Sequence, residues 1–399
     1  MNIAARIDRL RNEGAFQVLA QVNALREQGR DIVSFCIGEP DFPTPQHICD
    51  AGIAAIRQGK TKYVPSGGIP RMKESVARYV SNRHNIEVKP ANVTITPGVK
   101  PALLAAVLAT VERGDDVIFP NPGFPVYRSH IEFVGATAVP LPLREEREFR
   151  FDIEELRSRI TPRTKMIILN SPHNPTGGIL TIEDVEAIAT LANEHNFWIL
   201  TDDIYTGISY GDPVPGILSV PGMLERSFVV DGHSKYYSMT GWRLGYLVCR
   251  EDLESRMNTL MVNMFSCTAA FTQEAGIVAL ESSQEPSQAM VDEFRRRRDL
   301  VVAGLNAIEG ISCLTPRGAF YAYPNVTKAC RKLGMDDSSQ FQEHLLEKAG
   351  VAVLGQDCFG PRADDEDQEY IRLSYATSQD NIREGLRRIR EAVEGTPNN

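Results

Sequence analysis

The residues best placed for chemistry lie in "VVDGHSKYYSMTGWRLGY", Val229 to Tyr246. Lys235 follows an apolar, strand-like run, with Ser234 just before it and Arg243 a short way after. A lysine at a strand end can form a Schiff base with a carbonyl compound. Taken alone, such a lysine is an ordinary surface residue. A carbonyl cofactor asks for three further groups: a phosphate cup, an acid for a ring nitrogen and a donor for a ring oxygen.

The chain offers a candidate for each. "TPGVKPALLAA" sets Gly98, Val99 and Lys100 at the start of a helix. Backbone N–H groups at a helix N-terminus bind phosphate, helped by the helix dipole. Arg243 and the Ser234 hydroxyl can complete that cup through charge-assisted hydrogen bonds. "ILTDDIY" ends an apolar strand on Asp202. A carboxylate there is costly unless paired, and a protonated pyridine nitrogen would pair it. Tyr205, and Asn174 in "NSPHNPTGG", can serve the ring oxygen. Each has a structural reading as well; Asn174 can simply hold its turn. Their joint occurrence after successive strands points to pyridoxal phosphate.

These residues need a frame. From about residue 90 to 250 short continuous apolar runs alternate with helical patterns: "NVTIT", "DDVIFP", "KMIILN", "FWILTDDIY", "RSFVVDG". That pattern predicts a largely parallel sheet covered by helices on both faces, with ligands beyond the carboxyl ends of its strands. Toward the C-terminus, "MVDEFRRRRDLVVAGLNAI" reads as a long amphipathic helix. "GAFYAYPNV" and "YIRLSYAT" alternate like half-buried strands, and two further helices follow the same logic. This is an α+β unit, joined to the sheet by helices near 270 to 305.

Composition sets the bounds. The 399-residue chain is 42% hydrophobic and 24% charged, ordinary for a globular protein. A net charge of -9 argues against a nucleic-acid surface. The one basic cluster, Arg295 to Arg298, is expected to be a solvated helix face. "MNIAARIDRLRNEG" has no apolar core of a secretory signal, and no apolar run approaches membrane-spanning length. The seven cysteines lack a Cys-x-x-Cys pair, and the seven histidines lack metal-ligand spacing. No metal site is expected, and the compartment expected is the reducing cytoplasm.

Across its whole length the chain resembles class I/II aminotransferases of pyridoxal-phosphate fold type I, in the aspartate-aminotransferase-like branch marked by "KTKY". The motifs carrying the resemblance are "IGEPDFPTP", "KTKYVPSGGIP", "NSPHNPTGG", "TDDIY", "SKYYSMTGWRLGY", "GAFYAYP" and "IRLSYATS". The resemblance implies an α/β fold: a large domain with a mostly parallel central sheet between helices, plus a smaller α+β domain. It implies an N-terminal segment over residues 1–42 packing with the small domain, a large domain over 43–282 and a small domain over 283–399. It implies that Lys235 holds the cofactor, Asp202 pairs the pyridine nitrogen, and Asn174 and Tyr205 bind the ring oxygen. Gly98, Val99, Lys100, Ser234 and Arg243 hold the phosphate. Phe124 in "NPGFPVY" stacks on the ring where relatives commonly have Trp or Tyr. Arg372 anchors the substrate α-carboxylate, assisted by Gly38 and Asn174. Tyr63 in "KTKYVPSGG" reaches the phosphate of the other subunit of a homodimer. The implied reaction moves an amino group from an L-amino acid to a 2-oxo acid.

Two positions depart from the family pattern. His233 stands two places before the lysine, where an apolar or small residue is usual. It either packs beneath the cofactor loop or transfers protons beside the lysine. The second reading gives an alternative activity, an O₂-dependent oxidase acting on an amino acid such as arginine. "EGAFQVL" puts Glu13 where relatives specific for aspartate carry small hydroxyl residues. That weakens a dicarboxylic substrate and leaves room for apolar or cationic ones.

Overall fold

The computed structural model describes residues 3–11, 13–211, 213–363 and 365–395. Its centre is a seven-stranded sheet. The strands are β1 Val93–Thr96, β2 Asp116–Asn121, β3 Thr137–Pro142, β4 Thr164–Asn170, β5 Trp198–Asp202, β6 Ser227–Gly232 and β7 Gly245–Val248. Their spatial order is β1-β7-β6-β5-β4-β2-β3. The β2–β3, β2–β4, β4–β5 and β5–β6 pairs are parallel, whereas β7 runs antiparallel to both its neighbours. The continuous apolar runs are explained by burial on both faces: every residue of β2 and β6 is buried. Parallel neighbours bring the ends of β4, β5 and β6 to one edge, with Asn170 in register with Asp202 and Asp202 with Val230.

A second sheet has three strands: β8 Tyr321–Ala322, β9 Leu354–Gly355 and β10 Ile371–Ser374, in the order β9-β10-β8 and antiparallel throughout. It shares a core with the helices Glu285–Asn306 and Gln379–Glu394, through Phe294, Val301, Leu305, Ile382 and Ile389. The expected strand "GAFYAYPNV" shortens to two residues because Ala319 adopts a left-handed φ of 57° just before it. Val33–Ser34 pairs in parallel with Val351–Ala352, and Ser374 donates to the Phe35 carbonyl. The N-terminal stretch thus adds to the same layer as the C-terminal sheet.

The basic cluster is not uniformly solvated. Arg295 and Arg296 are exposed, but Arg297 is buried. Arg297 donates to Asp41 at 2.6 Å and Glu293 at 3.2 Å, and its guanidinium lies 4.8 Å from the Phe42 ring centre. Arg298 lies over Tyr210 at 4.8 Å. A buried cation is tolerated because two carboxylates and an aromatic face replace its water. Among the described residues no helix is long and apolar enough to cross a membrane, and no cluster of His, Cys, Asp and Glu could hold a metal.

Candidate active site

Lys235, Asp202, Asn174 and the N-terminus of the helix Val99–Thr110 meet around one cavity of about 490 Å³. Each comes from just beyond a strand end of the central sheet. Ser234 and Lys235 follow β6, Asn174 follows β4, Gly98 follows β1, and Asp202 is the last residue of β5. Parallel register is therefore what gathers residues far apart in sequence.

The expected phosphate cup depends on an omitted side chain. Gly98 has φ +98°, and a Cβ there would lie 2.4 Å from Nη2 of Arg243. Only glycine lets the guanidinium approach the helix N-terminus this closely. The first-turn N–H groups of that helix lack intrahelical acceptors. Arg243 itself adopts a left-handed φ of 54°, held by its Nη1 donating to the Thr240 carbonyl at 2.9 Å. Backbone strain of this kind persists where surrounding contacts over-determine it, and here it aims a cation.

Asp202 is buried, and burial pushes its carboxyl up to about 7. The Tyr127 hydroxyl donates to its Oδ2 at 2.8 Å. The Asn170 side-chain amide donates to the Asp202 carbonyl at 2.7 Å, while Asn170 Oδ1 accepts the Asn174 N–H at 2.9 Å. A carboxyl poised this way gains strongly from a protonated nitrogen partner, which is what a pyridine ring seated here would bring. Phe124 lines the same cavity and meets Tyr127 edge-on at 5.6 Å.

Burial lowers Lys235 to about 8, with Arg372 and Arg243 lowering it further and Glu39 and Asp202 opposing. Its ammonium donates to the Gly38 carbonyl. A lysine near this value supplies neutral amine at physiological pH, as both Schiff-base formation and proton transfer need. Gly38 must lack a side chain, since a Cβ there would lie 1.9 Å from the Tyr321 hydroxyl. Tyr205 shares a 2.7 Å hydrogen bond with that same hydroxyl.

Arg372 is buried in β10. Its Nη1 donates to Asn174 Oδ1 at 3.0 Å and its Nη2 to the Cys36 carbonyl. Its Nε has no partner. Among the described residues this buried guanidinium has no carboxylate partner, and only two of its donors are shown in use, which suits it to a carboxylate ligand. Tyr321 and Phe359 carry its faces at 4.5 and 4.8 Å.

Three expected residues do not line this cavity: Gly98, which lies behind it against Arg243, Tyr63 and His233. Tyr63 does not line it and is 88% exposed. His233 is fully buried on another side, its ring 5.4 Å from Tyr237 and 6.3 Å from Tyr246, with Nε2 facing Gly276. Neither of its nitrogens meets hydrogen-bond geometry, and burial lowers its pKa to about 4. The strand ends at Gly232 and the chain bends at His233, so strand alternation does not carry on to Lys235, and the ring of His233 lies outside the cavity that Ser234 and Lys235 line. Lys100 has two parts with separate settings. Its backbone belongs to the helix N-terminus, while its ammonium pairs with the Glu13 carboxylate. Tyr127, Asn170 and Tyr321 line the site and were not singled out from the sequence.

The chain belongs to the class I and II aminotransferases, whose family model matches residues 30–389. It is 36% identical to a probable aspartate/prephenate aminotransferase of Aquifex aeolicus, over 98% of both chains. It is also 36% identical to an aspartate aminotransferase of Bacillus subtilis, over 99% of both. The solved aspartate aminotransferase of Rhizobium meliloti superposes with a TM-score of 0.93 at 32% identity, over 99% of both chains. The fold is therefore fold type I, the cofactor is pyridoxal phosphate and the reaction is amino transfer. No observation favours the oxygen-using alternative, because His233, which alone suggested it, lies outside the cavity.

Proposed function

We propose that this enzyme exchanges an amino group between an L-amino acid and a 2-oxo acid, with each substrate's carboxylate seated on Arg372. The observation that carries this reading is that buried Arg372, which pairs with no carboxylate among the described residues, lines the same cavity as Lys235. Pyridoxal phosphate, when bound, supplies an aldehyde carbon and a protonated ring that withdraws electrons. Gly98, Val99, Lys100, Ser234 and Arg243 would hold its phosphate, Phe124 would lie against its ring, and Tyr205 and Asn174 would serve the ring oxygen. Asp202 keeps the ring nitrogen protonated, and Tyr127 fixes that carboxylate's orientation. Arg372 fixes the substrate's rotation, with Gly38 and Asn174 shaping its seat. The neutral Lys235 amine then takes the proton from Cα and later returns one. Its lowered pKa matches that duty.

The same reading assigns residues 1–42 to a segment that packs with the small domain over 283–399, leaving 43–282 as the large domain. The pairing of Val33–Ser34 with Val351–Ala352 supports it. It makes the enzyme a homodimer in which Tyr63 serves the partner's phosphate. An almost fully exposed tyrosine, following exposed Ile53 and Ile56 in the sequence, supports that assignment. The unpaired state of the seven cysteines supports a cytoplasmic setting.

The test is amino exchange itself. Holoenzyme incubated with an amino-acid panel is expected to form keto acid for a single turnover per site and then stop, and to continue turning over only when 2-oxoglutarate or pyruvate is present, with no O₂ uptake. Keto acid formed with O₂ uptake and no acceptor would overturn the reading. For the dimer, mixed Tyr63→Phe and Lys235→Ala subunits are expected to regain activity, because one intact composite site forms. No regain would place Tyr63 in its own subunit's site or none.

A further inference from the structure

The contacts lining the cavity fall into two clusters. One holds Arg372, Tyr321, Tyr205 and Lys235. The other holds Glu13, Lys100, Phe16 and Phe124: the Lys100 ammonium pairs with Glu13 and lies 5.9 Å from the Phe16 ring centre and 5.5 Å from that of Phe124. Both clusters line the same cavity, so a substrate with its α-carboxylate on Arg372 can extend its side chain toward the second. We propose that the Glu13–Lys100 pair selects the substrate side chain by cancelling charge on that wall, so the site takes neutral, apolar amino acids in preference to dicarboxylic ones. This rests on the aminotransferase reading and on Arg372 as the carboxylate anchor.

The physical case has three parts. First, the pair is closed. Its two charges satisfy each other, and the surfaces left for a ligand are Ala15, Phe16, Ile37, the lysine methylenes and the edge of Phe124. Second, the pair resists opening. Glu13 is the residue preceding the helix Gly14–Glu27, where the dipole favours a negative charge. The next residue is held by close packing, since a Cβ on Gly14 would lie 2.4 Å from Cys358 Sγ. Close packing thus fixes the backbone that carries Glu13 beside Lys100. Third, the competition is asymmetric. A distal carboxylate reaches Lys100 only by displacing Glu13, whose like charge then stays beside it. A distal cation faces the mirror problem with Lys100. A neutral apolar side chain leaves the pair intact and covers Phe16, which is 58% exposed without it.

Two unreactive carboxylates test this on the holoenzyme by calorimetry: succinate, with a distal charge, and 4-methylpentanoate, without one. The wild type is expected to bind 4-methylpentanoate more tightly. Glu13→Gln keeps the shape, removes the charge and frees Lys100. It is expected to tighten succinate about tenfold and to raise kcat/KM for aspartate in parallel, while 4-methylpentanoate and leucine change less than about threefold. Adding Lys100→Met to Glu13→Gln is expected to erase the gain for succinate. Equal succinate affinity in wild type and Glu13→Gln, with leucine still transaminated, sinks the selector and leaves the aminotransferase reading standing. No amino transfer from any donor, with the succinate shift present, does the reverse.

Discussion

The Tyr321 hydroxyl lies 2.7 Å from that of Tyr205, while the Tyr321 ring carries the Arg372 guanidinium at 4.5 Å. One side chain thus links the group assigned to the ring oxygen with the group assigned to the substrate carboxylate. Tyr321→Phe separates the two duties. The ring face remains for Arg372, and the hydroxyl partner of Tyr205 is lost. Losing one buried hydrogen bond costs about 1 kcal/mol, so kcat is expected to fall about five- to tenfold with KM little changed. Steady-state kinetics with one good donor checks this, and a KM effect larger than the kcat effect would instead place the hydroxyl on the substrate.

Arg372→Lys keeps the charge and loses the fork. The ammonium cannot serve Asn174 Oδ1, the Cys36 carbonyl and a substrate carboxylate with the same planar geometry. A loss of about 2–4 kcal/mol in kcat/KM is expected, felt equally by donor and acceptor because both carry the same carboxylate. Measuring both half-reactions checks the symmetry. Unchanged efficiency would move the carboxylate seat elsewhere.

Gly98→Ala attacks the phosphate cup without touching a charge. The left-handed φ costs alanine about 1 kcal/mol or more, and its Cβ forces the Arg243 guanidinium away from the helix N-terminus. Cofactor affinity is expected to fall at least about tenfold, measured by equilibrium titration of apoenzyme with pyridoxal phosphate. Substrate binding at Arg372 is not expected to change once the enzyme is saturated. A variant with unaltered cofactor affinity would show that Arg243 does not serve the phosphate.

How much of this was legible followed from the range of each contact. Lys235, Asp202 and Gly98 announce themselves locally, because a strand end is marked by its own apolar run. Tyr127 and Tyr321 could not be found that way, since their partners Asp202 and Tyr205 lie 75 and 116 residues away. The Glu13–Lys100 pair spans 87 residues and is equally silent in sequence. Arg297 did carry a local signal: Phe294, Arg297, Val301 and Leu305 recur at helical spacing on the buried stripe of Glu285–Asn306. The run of four arginines masked that period. His233 misled in the opposite direction, because closeness in sequence to Lys235 does not mean sharing its face.

His233 supplies the last expectation, a pH dependence of stability. The ring packs against Tyr237 and Tyr246 and faces Gly276; the nearest carboxylate through these contacts is Asp231, which accepts from the Tyr246 hydroxyl at 2.9 Å. Burial lowers the folded pKa to about 4 from an ordinary 6.5. Between those values the unfolded chain binds a proton that the native chain refuses. Stability from this group is therefore fully present above about pH 6.5 and is lost as pH falls toward 4, by up to about 3 kcal/mol. Asp231, raised to about 7 by burial, has the opposite slope: its protonated native form gains as pH falls from 7 toward 4. Comparing wild type with His233→Leu isolates the histidine, because Asp231 and the other buried histidines contribute to both curves. Leucine also removes two buried ring nitrogens, neither in hydrogen-bond geometry although Nε2 faces the Gly276 backbone, so it is expected to be neutral or stabilising at pH 7.5. Urea unfolding of the two apoproteins from pH 7.5 to 4.5 should show the leucine variant gaining steadily on wild type below pH 6.5, with amino transfer at pH 7.5 retained. Parallel curves would mean that the imidazole reaches water or a proton partner, and a collapse of amino transfer would return His233 to the chemistry.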